Sequence, residues 1–141
     1  METFADVGKR LFDKDSWRQS KQNDIDELRQ DKDKLILCKL RRDLIVRNRD
    51  YFENEKNEIA VSLMEEEISY IEDLILSAET GSDFSYDPVD RQLMGLTGTM
   101  SKYFLNSLIP IVMDKGDNLP RFMDGQRPDW MIEKFNEYIG A

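Results

Sequence analysis

Residues 9–80 read KRLFDKDSWRQSKQNDIDELRQDKDKLILCKLRRDLIVRNRDYFENEKNEIAVSLMEEEISYIEDLILSAET and contain neither glycine nor proline. All four prolines and six of the seven glycines come after this run. Glycine and proline are the residues that most strongly interrupt regular secondary structure, so 72 residues without either predict long helices. We expect most turns of the chain to follow Thr80.

Two amphipathic helices account for most of this run. From about residue 22, apolar side chains recur at the helical period, and six consecutive polar residues at 53–58 then interrupt them. A second helix follows, with apolar side chains on one half of its wheel and acids on the other. We predict an antiparallel helical hairpin over residues 22–79 with its apex near 55–57. A single continuous bent helix is the alternative, because the apex contains no glycine.

The remainder of the chain predicts further helices and places the fold in the all-α class. Thr3-x-x-Asp6 indicates the start of a short N-terminal helix. Asp87-Pro88 indicates the N-cap and first residue of a helix over 88–113, which is apolar round most of its circumference and should be buried, with Pro110 kinking its last turn. Residues 115–128 should form a loop and 128–139 a closing helix. We therefore expect a helical domain over 1–114 and a loop with a C-terminal helical tail over 115–141.

Charge is distributed unevenly along the hairpin. The whole chain carries a formal net charge of -9, which opposes nonspecific binding to nucleic acid or to an anionic membrane. Residues 34–49 hold six basic groups against one acid, whereas residues 53–79 hold nine acids against one lysine. Consecutive acids on a helix point in different directions, so we interpret the acidic side of the second helix as a solvated face.

Four cations of the first arm form a candidate binding face. On the helical wheel they lie opposite the main apolar stripe of Ile36, Leu37, Leu40 and Leu44, and so away from the acidic arm. An outward basic face is consistent with simple solvation, with an acidic protein partner or with nucleic-acid phosphates. These cations are Lys34, Arg41, Arg42 and Arg49. The same side also carries Leu35, Cys38, Ile45 and Val46, so this helix has apolar groups in nearly every direction and should be covered from more than one side.

Arg47 and Glu67 are charged residues at positions where apolar side chains belong. Arg47 falls at the edge of the first stripe and Glu67 in the middle of the apolar half of the second helix. In a hairpin that turns near 55–57, these two positions lie opposite each other. We hypothesise an ion pair between the helices that fixes their register. The alternatives are edge positions that reach water and a functional carboxylate.

The C-terminal tail is the second candidate binding element. It carries large apolar side chains at short spacing after a flexible loop, and such a segment either packs back on its own domain or docks as a helix in a partner's groove. Trp130 would be the natural anchor of a docked helix. The residues concerned are Leu119, Phe122, Trp130, Met131 and Phe135.

The residue inventory argues against most catalytic and metal sites. The chain has no histidine, and Cys38 is its single cysteine, so we expect no metal, no cofactor and no intrachain disulfide. A single cysteine fits a reducing, cytoplasmic location. The start of the chain lacks a basic, apolar leader pattern, and no stretch is long and apolar enough to suggest a membrane segment.

We therefore expect a non-enzymatic protein-protein interaction protein, an assembly or adaptor subunit whose partner is another protein chain, either a second copy or a different protein. The first alternative is a nucleic-acid-related role, through phosphate binding by the basic face of 34–49 or through an acidic surface that mimics DNA. The second is an enzyme that works with carboxylates, lysine or tyrosine.

Overall fold

The computed structural model describes residues 14–86 and 110–140, and the fold of these residues is mainly helical. Three long helices pack together, which confirms the predicted fold class, and two short strands are added to them. The predicted N-terminal helix and residues 88–109 of the predicted core helix lie outside the described residues. The elements are α1 (Lys14–Gln30), α2 (Lys32–Asn54), α3 (Glu58–Thr80), β1 (Ile111–Asp114), β2 (Leu119–Phe122) and α4 (Asp129–Gly140).

The helical hairpin turns at residues 55–57, so the alternative of one continuous bent helix is wrong. Lys56 adopts a left-handed backbone conformation with φ 58°, which reverses the chain without a glycine. Asn57 then caps α3, because its side-chain oxygen accepts a hydrogen bond from the backbone N–H of Ala60 at 3.1 Å. The polar residues of this segment therefore end one helix and start the next.

Replacing Lys56 by glycine should stabilise the protein. A non-glycine residue in the left-handed region costs about 1–2 kcal/mol of conformational energy, which glycine avoids. Glycine also makes the unfolded chain more flexible, and this lowers the stability by about 0.4–1 kcal/mol. We expect Lys56→Gly to raise the free energy of unfolding by about 0.5–1 kcal/mol in urea titrations. Lys56→Ala is the control, because it removes the same side chain and keeps the strain. An equal gain in both variants would show that backbone strain at Lys56 is not the cause.

The first arm of the hairpin is two helices, because the chain breaks at Asp31. Asp31 has extended backbone angles, φ -124° and ψ 101°, and its carboxylate accepts hydrogen bonds from the N–H groups of Asp33 and Lys34 at 3.0 and 3.3 Å. An aspartate at this position satisfies two of the free donors at the start of α2. The sequence pattern predicted an uninterrupted arm here, and that was wrong.

The main core lies between α3 and the two helices of the first arm. Ile25 of α1 and Ile45 of α2 are fully buried against the apolar half of α3. Beyond Gly81 the chain runs back along α3. The Asp73 carboxylate of α3 holds it there by accepting hydrogen bonds from the N–H groups of Ser85 and Tyr86, at 3.0 and 2.8 Å. The α3 members of this core are Leu63, Met64, Ile68, Tyr70, Ile71, Leu74, Ile75 and Ala78.

The C-terminal part begins with a β-hairpin where a helix was expected. Residues 111–113, predicted as the end of the core helix, form β1, and β2 lies inside the predicted loop of 115–128. The strands pair antiparallel, with Ile111 opposite Phe122 and Asp114 opposite Leu119. Pro110, which was expected to kink the last turn of that helix, lies directly before β1, and a proline has no N–H to donate to a helical hydrogen bond. The closing helix α4 lies where the pattern predicted it.

A second core cluster joins this C-terminal unit to α2. Its buried members are Leu40 and Leu44 of α2 together with Phe122 and Met131. Apolar side chains of α2 are thus covered on two sides, by α3 on one and by the C-terminal unit on the other, as expected for a helix with apolar groups in nearly every direction. None of the described helices is sufficiently long and apolar to span a membrane.

Candidate partner-binding surfaces

The two apolar sides of α2 contact different elements from those that the sequence pattern predicted. The predicted stripe, including Leu40 and Leu44, contacts the C-terminal unit and not α3. The opposite side, with Cys38 and Ile45, contacts the helices of the main core. The helical wheel separated the two sides correctly. However, the side that was predicted to face the acidic helix, α3, faces the C-terminal unit.

The C-terminal tail packs back on its own chain. Met131, Phe135 and Phe122 are buried, with 0%, 5% and 9% of their surface exposed. Leu119 and Trp130 are half-buried. Since the large apolar side chains proposed for partner docking are used inside the chain, the tail in this conformation offers no apolar helix face made of these residues.

Arg47 and Glu67 do not pair with each other among the described residues. The Arg47 guanidinium lies over the Trp130 ring, 4.7 Å from its centroid, a cation–π contact that joins α2 to α4. Glu67 instead acts electrostatically on Arg41, which lies on the other side of α2. Arg47 therefore belongs to the side of α2 that faces the C-terminal unit, whereas the sequence pattern had placed it toward α3.

Three of the four cations proposed as a binding face have carboxylate neighbours in the chain. Lys34 Nζ lies 3.1 Å from Glu27, Arg49 Nη2 lies 3.3 Å from Asp50, and Arg42 Nη2 lies 3.2 Å from Asp43. The charge that these groups offer to an external anion is therefore reduced. The two more exposed pairs, Lys34–Glu27 and Arg49–Asp50, add little stability, about 0–1 kcal/mol each.

Arg41 differs from those three cations. Its side chain is half-buried, and within residues 14–86 and 110–140 it makes no hydrogen bond or ion pair. Burial lowers the pKa of its guanidinium, and the charge of Glu67 acts in the opposite direction. An open groove of about 410 Å³ adjoins it, and we call this the cationic groove, lined by Lys34, Leu37, Cys38, Arg41, Pro110 and Ile111.

A polar cluster at Tyr138 fastens α4 to α2. The Tyr138 hydroxyl donates a hydrogen bond to the Asp43 carboxylate and accepts one from Arg42 Nη2 at 2.8 Å. Lys39 Nζ lies 5.3 Å from the centre of the Tyr138 ring and 3.2 Å from Glu79, so the cluster reaches α3 as well. Burial, followed by the hydrogen bond to Asp43, raises the pKa of Tyr138 to about 12.

This pKa gives a pH-dependent prediction. The ordinary pKa of tyrosine is about 10, so folding favours the neutral phenol, and the stability it contributes is present below pH 10 and is lost as pH rises toward 12. Phenolate absorbance is followed against pH in the folded wild type and in Tyr138→Phe. The difference between the two curves should show one tyrosine that ionises with a midpoint near pH 12. A difference curve centred near 10 would contradict the cluster.

The exposed side of α3 carries a row of glutamates, which the sequence pattern predicted only as part of a solvated face. Glu58, Glu65, Glu72 and Glu79 recur every seven residues, about 10.5 Å apart along the helix, and all four are exposed. We call them the glutamate face. Glu79 pairs with Lys39, whereas the other three form no ion pair within the part of the chain that the structure describes. The seven-residue spacing was the signal available in the sequence.

Between the glutamates, small and apolar side chains complete the surface. Ser62, Ser69 and Leu76 repeat at the same seven-residue interval and are exposed, with Leu76 52% exposed. The three glutamates without an ion pair thus place negative charge along about 21 Å of the helix, beside two exposed serines. It suits a long contact with a complementary, positively charged surface.

Across the described residues, no group of three or more histidine, cysteine, aspartate or glutamate side chains is placed to hold a metal ion. Comparison of the chain with protein-family models, with curated proteins and with solved structures finds no match.

Proposed function

We propose that this protein is a non-enzymatic protein-protein interaction protein, an adaptor that offers the glutamate face of α3 to a basic surface of another protein. The observation that carries the proposal is the regular row of exposed glutamates on one long helix. A reducing, intracellular setting belongs to the proposal, because Cys38 has no second cysteine with which to form an intrachain disulfide.

The rigidity of α3 supports this role. The helix buries its apolar half against α1 and α2 and is capped at both ends, by Asn57 and by Gly81 in the left-handed conformation. Its exposed carboxylates therefore keep a fixed spacing before a partner arrives, which reduces the ordering that binding costs. Complementary charge of this kind mainly accelerates association and selects the partner.

Co-purification from the source cells tests the proposal with two variants of equal charge change. Glu65→Gln with Glu72→Gln removes two central charges of the glutamate face. Asp83→Asn with Glu133→Gln removes two exposed charges elsewhere. We expect the first variant to recover several-fold less of the partner that the wild type recovers, and the second to match the wild type. Recovery should also fall with added salt.

Equal recovery by the two variants would contradict the assignment to the glutamate face. A folded wild-type chain that recovers no partner at low salt would contradict the proposed function as a whole. Circular dichroism of each variant checks that the helices are intact.

The DNA-mimicking inhibitor is the second candidate, and the same row of carboxylates favours it. In that case the partner is a nucleic-acid-binding protein, and DNA should displace this chain from it in a competition titration. Failure of DNA to compete, with binding otherwise intact, would exclude the mimic and retain the adaptor. Direct phosphate binding has less support, because Lys34, Arg42 and Arg49 have carboxylate neighbours.

A further inference from the structure

Among residues 14–86 and 110–140, the two-stranded sheet has one protected edge and one open edge. Met123 N–H donates to the Pro110 carbonyl at 2.9 Å. Residues 110 and 123 are therefore a hydrogen-bonded pair at the ladder position directly before Ile111 and Phe122. Hydrogen-bonded pairs alternate along an antiparallel ladder, so Val112 pairs with Arg121 in the same way. The backbone groups of Ile111 and Met113 therefore point away from β2.

The outer edge of β2 is closed by the chain that follows it. Phe122 N–H donates to the Gln126 carbonyl at 2.8 Å, and the Pro120 carbonyl accepts from Arg127 Nε at 2.9 Å. Pro120 has no N–H to offer. Natural sheets commonly protect their edges in this way against pairing with other chains.

The outer edge of β1 has no such protection in the part of the chain that the structure describes. The backbone groups of Ile111 and Met113 find no hydrogen-bond partner among residues 14–86 and 110–140. Unpaired N–H and C=O groups on a strand edge are a template for an added strand. Ile111 also lines the cationic groove, so the open edge and the groove meet at the start of β1.

The groove adds a charge preference to this edge. Arg41 contributes a half-buried cation without a hydrogen-bond partner among the described residues, and Glu67 is the carboxylate that acts on its charge. Lys34 stands at the same groove but is paired with Glu27, so Arg41 is the cation on which the charge preference depends. Leu37, Cys38 and Ile111 provide an apolar lining. Arginine binds a carboxylate through two parallel hydrogen bonds, which distinguishes a carboxylate from a neutral side chain.

We propose that the outer edge of β1 accepts an extended segment of a partner protein as an additional strand, with an acidic side chain of that segment bound by Arg41 in the cationic groove. This site is separate from the glutamate face and takes a ligand of opposite charge. With both surfaces, the chain would join an acidic extended segment to a basic surface.

A displayed library of random seven-residue peptides, selected on the full-length protein, tests the site directly. We expect enrichment of peptides that alternate apolar and acidic residues, because alternate side chains of an added strand point to the same face. The strongest peptide is then synthesised with a fluorescent label and titrated against the variants by anisotropy. Absence of enrichment, or enrichment without acidic residues, would overturn the proposal.

Two variants separate the backbone contribution from the charge. Met113→Pro removes an outward N–H without removing a hydrogen bond between β1 and β2, and Arg41→Gln removes the cation. Each should weaken peptide binding at least about tenfold. Arg49→Gln is the matched control and should bind as the wild type does. Thermal unfolding followed by circular dichroism shows whether each variant is folded.

Two further measurements distinguish strand addition from a simple anion site and from binding at the glutamate face. Free glutamate should not displace the labelled peptide at millimolar concentration, and displacement would show a simple anion site in place of strand addition. Glu65→Gln with Glu72→Gln should bind the peptide normally, so failure at the groove and failure at the glutamate face are distinguishable. Normal peptide binding by folded Met113→Pro or Arg41→Gln protein would also overturn the proposal.

Discussion

Met131→Ala should lower the free energy of unfolding by about 2–5 kcal/mol. Met131 has none of its surface exposed and packs with Leu40, Leu44 and Phe122 in the cluster that joins the C-terminal unit to α2. Truncation at a fully buried position loses the transfer free energy of the removed atoms and leaves a cavity whose cost depends on how well the surroundings collapse. Urea titrations followed by circular dichroism measure the change.

The same unit provides a matched control. Met123 is 61% exposed, so Met123→Ala removes the same atoms from a position already in contact with water and should change stability by less than about 0.5 kcal/mol. Similar effects from the two substitutions would mean that the C-terminal unit does not pack on α2 as described.

Ile45→Ala should have an effect of the same size, about 2–5 kcal/mol, on the other side of α2. Ile45 is fully buried in the main core, where it packs with the apolar half of α3. Loss of its side chain weakens the contact that holds the two arms of the hairpin together. Thermal and urea unfolding should both shift, without a change in helix content before the transition.

Ile59 gives the corresponding control for the hairpin. It lies on α3 and is 61% exposed, so Ile59→Ala should have little effect on stability. If Ile59→Ala were as damaging as Ile45→Ala, the orientation of α3 in the hairpin would be wrong.

The hairpin could be predicted because two strong signals agree. Absence of glycine and proline over residues 9–80 indicated long helices, and the polar residues at 53–58 located the turn. The break at Asp31 was missed because an aspartate is also common on the exposed surface of a helix. Its capping hydrogen bonds go to the N–H groups of Asp33 and Lys34, two and three residues further on, and they form only when Asp31 itself leaves the helical conformation.

The two faces of α2 show a feature that the sequence pattern does not determine, which is the neighbour that each face contacts. The wheel separates two apolar sides, but both are apolar, so nothing in the pattern says which one meets α3. The predicted orientation of α2 placed Arg47 beside Glu67, whereas in the structure Arg47 lies over the Trp130 ring. The β-hairpin was missed for a related reason, because Ile111 to Met113 continue an apolar run and Pro120 argues against a strand at 119–122.

The binding surfaces were only partly foreseen. Lys34 and Arg41 were proposed from sequence and lie together in the cationic groove, but the contribution of β1 depended on a strand that was not predicted. The tail residues Phe122, Met131 and Phe135 were proposed for docking, and their use in the core could not be distinguished from docking by pattern alone. Either arrangement buries the same apolar side chains.

Carboxylate footprinting tests the proposed function most directly. Exposed glutamates and aspartates are labelled with a carbodiimide and an amine in the free chain and in the complex with its captured partner, and the sites are read by mass spectrometry. We expect labelling of Glu58, Glu65 and Glu72 to fall on partner binding, while Asp83 and Glu133 label equally in both states. Unchanged labelling of Glu58, Glu65 and Glu72 in a saturated complex would contradict recognition through α3.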